Sequence, residues 1–472
     1  MKIILRIVGL LVIMNSVLLY MHYSQLTDAS GTPAQDSRYI QEIEVINRTD
    51  ALFVRHHFHN LDGGRHEIIL PAESRNASCY LEVETSCARI NENATAVLEG
   101  KESRQSISYE IPKAEKMGSR KLFREPFASL RNARPDSTIL HVTDESGIGG
   151  MWVSGLELIG SEKMVMVDYS LFKGNGKVTD LYWQQKELPQ TYDGARLSIF
   201  GDSIDTAIAD QLNSALVDMN AGHLAVLLDP KGKPLQTSRF LITQLEPTEL
   251  SDLVLDKGIR SQFAISDKEQ LVAGLAASIA IDAPAGTRGA KKAFEVLKHS
   301  LSAGQYERLK SRLAEKQGER LDAAELDKLI GEVCGWKTSF VQKNTMGDYP
   351  FILEDTRMIT MNGEAQEDIH AVIMDKKTLY PANKVLTRNG YSLSANESSI
   401  YVESATENFR FSLRDPFYVL NGKRYEMREK PFVLIDTEYY FEEDALRRLF
   451  HLSIQKNEET IIVKSMTGGE SK

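Results

Sequence analysis

The sequence predicts an α+β multidomain protein with an N-terminal membrane segment, antiparallel β-rich domains, a helical subdomain and a C-terminal duplicated β-rich domain. Three observations lead to this prediction. The chain has 472 residues, which is too many for one hydrophobic core. Short apolar runs divided by turn residues fill the first half, whereas residues 246–336 show helical periodicity. The last third contains the same pattern twice.

The first predicted element is an apolar segment at residues 1–23, followed by a polar linker at residues 24–37. Lys2 and Arg6 precede an apolar run that ends at Met21. Two interpretations stay open, a cleaved signal peptide and a signal anchor, which needs roughly 18 apolar residues. We favour the anchor, because the nearest small residues lie about ten positions too late for cleavage. The expected location is the cell membrane, single-pass and with the bulk of the chain outside, or secreted if the segment is cleaved.

Composition and cysteine content limit the classes of partner. The formal net charge is -10, which argues against nucleic acid as a partner. Cys79 and Cys87 flank a predicted strand and are spaced to close a local disulfide, although the sequence does not decide whether they are bonded. Cys334 lies on the apolar side of a helical pattern and is expected to be a small buried side chain.

Two β-rich domains are predicted before the helices. Residues 38–115 read as a β-sandwich-like domain and residues 116–245 as a mixed β-rich domain with one helix at Ile204–Asn220. Turn residues between apolar runs predict three hairpins: Ala51–His59 with His66–Leu70, Met164–Phe172 with Val178–Trp183, and Leu224–Leu228 with Leu235–Ile242.

Residues 246–345 are predicted to form the helical subdomain. Three pairs of residues have the spacing of a capping box, in which a short polar side chain and a Glu or Gln three residues later satisfy the first helical N–H groups. These pairs are Ser266 with Glu269, Ser302 with Gln305, and Asp322 with Glu325. Each pair predicts the start of a helix.

Residues 346–466 contain the duplication. One pattern occurs twice, with an offset of about 60 residues. It consists of a strand with Asn-Gly, a stretch ending in aromatics, and a strand ending in Ile-Tyr-Val in the first copy and Ile-Ile-Val in the second. The order of strand, Asn-Gly-Lys, aromatics, short helix and closing hairpin resembles the stalk domain, also called the copper amine oxidase N-terminal-like domain, of Gram-positive spore-forming bacteria. The resemblance implies an attachment or spacer module outside the membrane with no catalytic residues. Copper is not expected, because the sequence has no Asn-Tyr-Asp or Asn-Tyr-Glu that could supply the modified tyrosine of the copper amine oxidase catalytic domain.

One imidazole cluster is a candidate metal site. Within His56–His59, the side chains of His57 and His59 share a strand face, and the predicted hairpin would bring His66 close to them. Neutral imidazoles of this kind suit zinc or copper. The alternative is a polar edge strand with solvated histidines, since no carboxylate or cysteine is spaced to complete the ligand shell.

One serine is a candidate nucleophile. Phe200-Gly201-Asp202-Ser203-Ile204 resembles the first block of GDSL-type esterases, in which a serine leaves a strand and opens a helix. The Asp-x-x-His pair of such esterases is absent from the sequence, so the alternative is that Asp202 or Ser203 caps the helix. The order of domains is also that of a remnant zinc aminopeptidase, but no His-Glu-x-x-His occurs anywhere.

These observations predict a non-catalytic, membrane-tethered extracellular protein that acts as a cell-envelope binding or spacer module. No cofactor, catalytic residue or metal ligand is assigned, the binding surface is unknown, and the expected partners are the membrane and a cell-wall or protein ligand. Two alternatives stay open: an exported serine esterase that uses Ser203, and a surface protein that binds metal through His57, His59 and His66.

Overall fold

The computed structural model describes residues 37–81, 87–113, 117–229, 233–244 and 247–466. The chain divides into two compact units, one up to Pro247 and one from Thr248. Both units contain sheets, so the prediction of a β-rich multidomain protein is confirmed. The assignment of individual domain boundaries, including the stalk-like domain, stays a prediction.

The first unit is built on a seven-stranded sheet. Its strands lie in the order β11-β12-β9-β1-β2-β6-β4, with β1 parallel to β9 and all other neighbours antiparallel. In chain order the strands are β1 (Ser37–Asn47), β2 (Ala51–His59), β4 (Arg75–Cys79), β6 (Gln105–Pro112), β9 (Ala133–Asp144), β11 (Glu157–Lys163) and β12 (Asp168–Asn175).

Strand β1 shows why this sheet has two different faces. Its side chains alternate between buried and partly exposed, so that Ile43 and Val45 enter the core while Glu42 and Glu44 lie on the other face. An alternation of period two places successive side chains on opposite sides of a sheet. The polar face is therefore determined by the sequence of β1.

Two small sheets pack with the apolar face of the large sheet in one hydrophobic core that includes Phe58, Tyr109, Trp152 and Trp183. One has the order β5-β3-β8 and the other β10-β13-β7. Their strands are β3 (His66–Ile69), β5 (Ala96–Val97), β7 (Arg120–Arg124), β8 (Ser129–Leu130), β10 (Met151–Ser154) and β13 (Asp180–Gln184).

A mixed five-stranded sheet completes the first unit. Its order is β14-β15-β16-β18-β17, and the three central strands are parallel. The strands are β14 (Gln190–Asp193), β15 (Leu197–Gly201), β16 (Leu224–Leu228), β17 (Leu235–Gln236) and β18 (Phe240–Thr243), and helix α1 (Thr206–Asp218) connects β15 to β16. Helix α1 confirms the predicted helix at Ile204–Asn220, with shorter ends.

The three predicted hairpins are wrong, although most of their strands exist. In the first predicted hairpin, β2 pairs with β1 and β6, whereas β3 pairs with β5 and β8. In the second, β12 pairs with β9 and β11, whereas β13 pairs with β7 and β10. In the third, β16 runs parallel to β18. β2 and β12 each pair with the strand directly before them in the chain and with one more distant strand, and not with the strand that follows the predicted turn. Tertiary burial outweighs the local turn signal.

The structure shows the cysteine pairing that the sequence left open. Cys79 and Cys87 form a disulfide that closes a local loop. Cys334 is partly buried and unbonded, and burial raises the pKa of its thiol to about 11. A thiol with this pKa stays protonated near neutral pH, as expected for a packing residue.

Helices predominate between residues 247 and 344. They are α2 (Pro247–Arg260), α3 (Gln270–Ile281), α4 (Arg288–Ser300), α5 (Ala303–Glu315), α6 (Ala323–Cys334) and α7 (Phe340–Asn344). Ser302 and Gln305 form the predicted capping box of α5, and the side chain of Asp322 caps α6. The start predicted at Ser266 is three residues early: the N-cap of α3 is Glu269.

The C-terminal sheets contain the duplication. The first copy runs β20 (Met358–Met361), β21 (Glu364–Gln366), β22 (Ala371–Met374), β23 (Lys377–Pro381), α8 (Ala382–Thr387), β24 (Ser392–Ala395) and β25 (Ser399–Glu403). The second runs β27 (Phe417–Leu420), β28 (Lys423–Glu426), β29 (Phe432–Ile435), β30 (Glu438–Glu442), α9 (Glu443–Leu449), β31 (Leu452–Lys456) and β32 (Thr460–Ser465). The remaining strands are β19 (Leu353–Asp355) and β26 (Asn408–Ser412). Both copies thus have the same order of elements.

The two copies share their sheets. β20 pairs with β32, and β23 pairs with β30, so strands of one copy complete the sheets of the other. Asn362 and Asn421 occupy the left-handed region in the two Asn-Gly turns, with φ of 52° and 48°. Asn and Gly adopt this backbone conformation at low cost, which explains why the turn sequence occurs in both copies.

The predicted membrane segment, residues 1–23, lies outside the described residues. Among the helices that the structure does describe, none has the length and apolar character of a membrane span.

Candidate functional site

The polar face of the seven-stranded sheet brings together more titratable side chains than the histidine motif alone predicted. Six residues on four neighbouring strands form what we call the acid–base cluster. They are Glu42 and Glu44 on β1, His57 and His59 on β2, His141 on β9, and Tyr169 on β12. The cluster lies at the surface, since the side chains of Glu42 and Glu44 are about one third exposed.

Strand register assembles the cluster. Glu42 pairs with His57 across β1 and β2, and Glu44 pairs with His141 across β1 and β9. Side chains at opposite or diagonal positions on one face of neighbouring strands are within reach of each other. Glu42 therefore has His59 and His141 as diagonal neighbours, one on each flanking strand.

The central feature is a series of two contacts that joins a phenol, an imidazole and a carboxylate. Nδ1 of His141 lies 2.6 Å from the hydroxyl of Tyr169, which is a short hydrogen bond. Nε2 of the same ring lies 3.1 Å from Oε1 of Glu42. This second contact has an ion-pair distance but lacks hydrogen-bond alignment, so Nε2 has no hydrogen-bond partner within the described structure.

The second oxygen of Glu42 contacts another imidazole. Nε2 of His59 lies 3.5 Å from Oε2 of Glu42, and this buried nitrogen also has no hydrogen-bond partner among the described residues. Burial, reinforced by Arg104, lowers the pKa of His59. The His59 ring is therefore neutral at neutral pH.

His57 and Glu44 form the neighbouring contacts of the cluster. Nδ1 of His57 lies 2.8 Å from the hydroxyl of Ser106, and Nη1 of Arg55 lies 3.1 Å from Oε2 of Glu44. Arg55 also lies over the ring of Tyr80. These contacts hold the strands' side chains in fixed orientations around Glu42.

The protonation state of Tyr169 decides what the phenol can do. Burial, together with the carboxylates of Glu42 and Glu44, raises the pKa of Tyr169. The phenol therefore stays protonated at neutral pH, and it is a proton donor rather than a nucleophile. A neutral donor, a relay imidazole and a carboxylate in contact are the components of acid–base chemistry.

The three histidines predicted to form a metal site do not all come together, because His66 lies apart from His57 and His59. His66 lies on β3, in a different sheet from His57 and His59, and its Nε2 lies 2.8 Å from Oδ1 of Asp62. His56 turns to the opposite, apolar face, where its ring stacks on Phe58. The hairpin that would have brought His66 to the cluster does not form, because β2 and β3 pair with other strands.

The predicted serine nucleophile is isolated from any described imidazole contact. Ser203 is exposed in the segment between β15 and α1. The helix is capped by Asp205, whose side chain accepts from the N–H of Ala207 at 2.8 Å, so the prediction that Asp202 or Ser203 caps it is also wrong. The strand before the motif, predicted at 196–200, is present as β15.

Comparison with known proteins gives a match in structure only. No family model matches the chain, and no curated protein matches it. The chain is similar in fold to an M1 zinc metallopeptidase from Deinococcus radiodurans, with a TM-score of 0.42 and 9% identity over 66% of this chain and 92% of that one. A mutant of that enzyme with a Tyr-Ser-Ala substrate bound gives a TM-score of 0.43 and 10% identity over 66% of this chain and 93% of that one.

These neighbours correct the functional expectation. They are peptidases, whereas the sequence predicted a non-catalytic binding or spacer module, and that prediction is wrong. At this identity and TM-score the likeness concerns the fold alone. It carries no argument about the reaction or the substrate of this chain.

The residues present do not fit the zinc ion of the M1 metallopeptidases. The sequence has no His-Glu-x-x-His, and no group of three or more His, Cys, Asp or Glu side chains within the described ranges is placed to hold a metal ion. The described residues therefore form no zinc site of that kind.

Sequence reasoning missed four of the six cluster residues: Glu42, Glu44, His141 and Tyr169. Glu42 and Glu44 carry a signal, because two carboxylates alternate with apolar residues on a strand. His141 and Tyr169 carry none in the sequence. They reach the cluster because β9 pairs in parallel with β1 across about a hundred residues of chain.

Proposed function

We propose that this chain is a metal-independent hydrolase whose acid–base residues are Glu42, His141 and Tyr169. The observation that carries the proposal is the continuous contact from the Tyr169 hydroxyl, through both nitrogens of His141, to the Glu42 carboxylate. An acid or base held by an imidazole that a third group orients is the general arrangement of such sites.

The proposed reaction uses each group for one proton transfer. Glu42 takes a proton from a water molecule while the oxygen of that water forms a bond to the carbonyl carbon of the substrate. Tyr169 gives its proton to the leaving group as the scissile bond breaks. The proton on Glu42 then passes to Nε2 of His141 while Nδ1 returns a proton to the Tyr169 phenolate. One water is consumed, and Glu42 and Tyr169 regain their starting states. His141 is left with its proton on Nε2 instead of Nδ1, and it returns to the starting tautomer by exchanging protons with solvent water.

The proposed acid–base roles suit a substrate with an accessible carbonyl group, such as a peptide amide or an ester. The side chains of His141 and Glu42 are 26% and 33% exposed, so water and substrate reach them. His59 contacts the other oxygen of Glu42 and orients this carboxylate, and we therefore regard His59 as a positioning residue.

The experiment is an assay of the purified protein on chromogenic aminoacyl anilides and short acyl esters, with and without a chelator. We expect turnover that the chelator leaves unchanged and that Tyr169→Phe or Glu42→Gln reduces about 10²- to 10⁴-fold, the range for loss of a general acid or base. The double variant should be no slower than the slower single variant, because residues that act as one relay have non-additive effects.

The matched control is Tyr192→Phe. The Tyr192 hydroxyl also has a side-chain acceptor, Asp210 at 2.8 Å, but it lies on β14 and outside the cluster. Urea unfolding of every variant reports whether the fold is intact. No turnover by the wild-type protein on any of these substrates, or equal turnover in the Tyr169→Phe and Tyr192→Phe variants, would contradict the proposal.

A further inference from the structure

Three nitrogen-bearing side chains meet at one edge of the five-stranded sheet. Arg196, His223 and Arg239 each stand directly before one of the parallel strands β15, β16 and β18. Since the strands are parallel neighbours, their amino ends lie at the same edge. Backbone hydrogen bonds fix this edge: the N–H of Leu224 donates to the carbonyl of Arg196 at 2.9 Å, and that of Ala225 to the carbonyl of Arg239 at 3.1 Å.

Arg239 is the unusual member of this group. Its Nη2 donates to the backbone carbonyl of Asn175 at 3.3 Å, but its Nη1 is buried and has no hydrogen-bond partner in the described ranges. Neither Arg239 nor Arg196 forms an ion pair with any carboxylate that the structure describes. Buried guanidinium groups are ordinarily paired, because an unpaired buried charge is costly.

The surroundings of Arg239 are shaped to hold its side chain in place. A side chain at Gly222 would collide with the guanidinium group, and a side chain at Gly155 would collide with the β-carbon of Arg239. Gly176 also borders the guanidinium. The backbone therefore approaches the guanidinium closely at Gly222 and Gly176 and the aliphatic stem at Gly155, and glycine is the residue that allows such an approach.

The electrostatic environment at this edge is positive. Burial, with a contribution from Arg196, lowers the pKa of Arg239 to about 10. Burial, with Arg239 and Arg196 acting in the same direction, lowers the pKa of His223 to about 4. Within the described ranges no carboxylate contributes to the pKa shift of Arg239 or His223, so the guanidinium groups and the neutral imidazole lie at this edge without a described counter-charge.

We propose that this edge of the sheet is a binding site for a small oxyanion, a carboxylate or phosphate group, held by Arg239 and Arg196. An oxyanion would accept from the unpartnered Nη1 of Arg239 and would supply the missing negative charge. Guanidinium groups bind carboxylate and phosphate in the same forked geometry, so the structure indicates the shared chemistry of these ligands. His223 is a neutral neighbour whose Nε2 is engaged with the Ser198 hydroxyl at 3.0 Å.

The test is thermal unfolding and calorimetric titration of the purified protein with inorganic phosphate and, separately, with acetate, each against chloride at equal ionic strength. We expect at least one of the two oxyanions to raise the unfolding temperature and to bind saturably. Binding of phosphate alone would indicate a phosphate site, and binding of acetate alone would indicate a carboxylate site. Binding of both would indicate a general oxyanion site.

Variants assign the binding to this edge. Arg239→Gln should abolish the oxyanion effect, and Arg196→Gln, on a partly exposed side chain, should weaken binding at least threefold without unfolding the protein. Arg131→Gln, which removes an exposed guanidinium paired with Glu67 on another sheet, is the matched control and should bind like the wild type. Failure of both oxyanions to bind the wild type, or equal binding by the Arg196→Gln and Arg131→Gln variants, would overturn the proposal.

Discussion

Buried histidines make the first unit sensitive to mild acid, and His56 gives the sharpest test of this prediction. Its side chain is fully buried between Gln41 and Phe58, and burial, with smaller contributions from His57 and His59, lowers its pKa to about 3. An unfolded chain has the usual histidine pKa of about 6.5. Below this pH the unfolded state binds a proton that the folded state does not bind. The free energy of unfolding therefore falls as the pH falls from 6.5 towards 3.

The magnitude follows from the linkage relation. At about 1.36 kcal/mol per pH unit, His56 lowers the free energy of unfolding by about 2 kcal/mol between pH 7.5 and pH 5. His223, with a pKa of about 4, contributes about 2 kcal/mol in the same direction. Replacing His56 by Gln should therefore remove about half of this combined loss, whatever the variant does to stability at pH 7.5.

The assay is urea unfolding at pH 7.5 and pH 5, followed by tryptophan fluorescence, since Trp152 and Trp183 lie in the core of the first unit. His299→Gln is the control, because this exposed histidine of α4 belongs to the second unit and its replacement should leave the unfolding of the first unit as in the wild type. If the His56→Gln variant and the wild type lose the same free energy between the two pH values, the reasoning about burial is refuted.

Two further predictions concern the packing of the second unit and the end of one helix. Phe411 is fully buried and its ring contacts those of Phe409, Tyr418, Phe432, Phe441 and Phe450. Phe411→Ala should lower the free energy of unfolding by about 3–5 kcal/mol in urea melts, and a loss under about 1 kcal/mol would contradict this packing. Asp205→Ala should cost about 1 kcal/mol because it removes the cap of α1, whereas Ser203→Ala should change stability by less than about 0.5 kcal/mol. Equal effects of the two changes would contradict the assignment of the cap.

Local signals in the sequence predicted local structure well. The capping spacing at Ser302 and Asp322 predicted the starts of α5 and α6, and the apolar stripe before Asn220 predicted α1. Each of these signals acts within one helical turn, through hydrogen bonds or side chains that are close in sequence. The spacing of Cys79 and Cys87 is local in the same sense.

Strand pairing could not be predicted from the same signals. Strand β1 lies between β2 and β9, and nothing in the residues between 60 and 132 indicates that β9 returns to β1 as a parallel neighbour. The three hairpins predicted from turn residues failed for the same reason. A turn sequence states that the chain reverses, whereas the partner of a strand is decided by the apolar area that the whole sheet buries.

The two proposed sites depend on pairing of this long-range kind. The acid–base cluster exists because β9 and β12 add His141 and Tyr169 beside Glu42, and the oxyanion site exists because β15, β16 and β18 are parallel neighbours. In both cases a polar residue sits where a shift of one residue in register would bury it or turn it to the other face. The apolar residues of each strand fix the register, and the register in turn fixes the distances between the polar groups. Single substitutions of the polar residues therefore test the proposed chemistry. Substitutions of the alternating apolar residues test the fold.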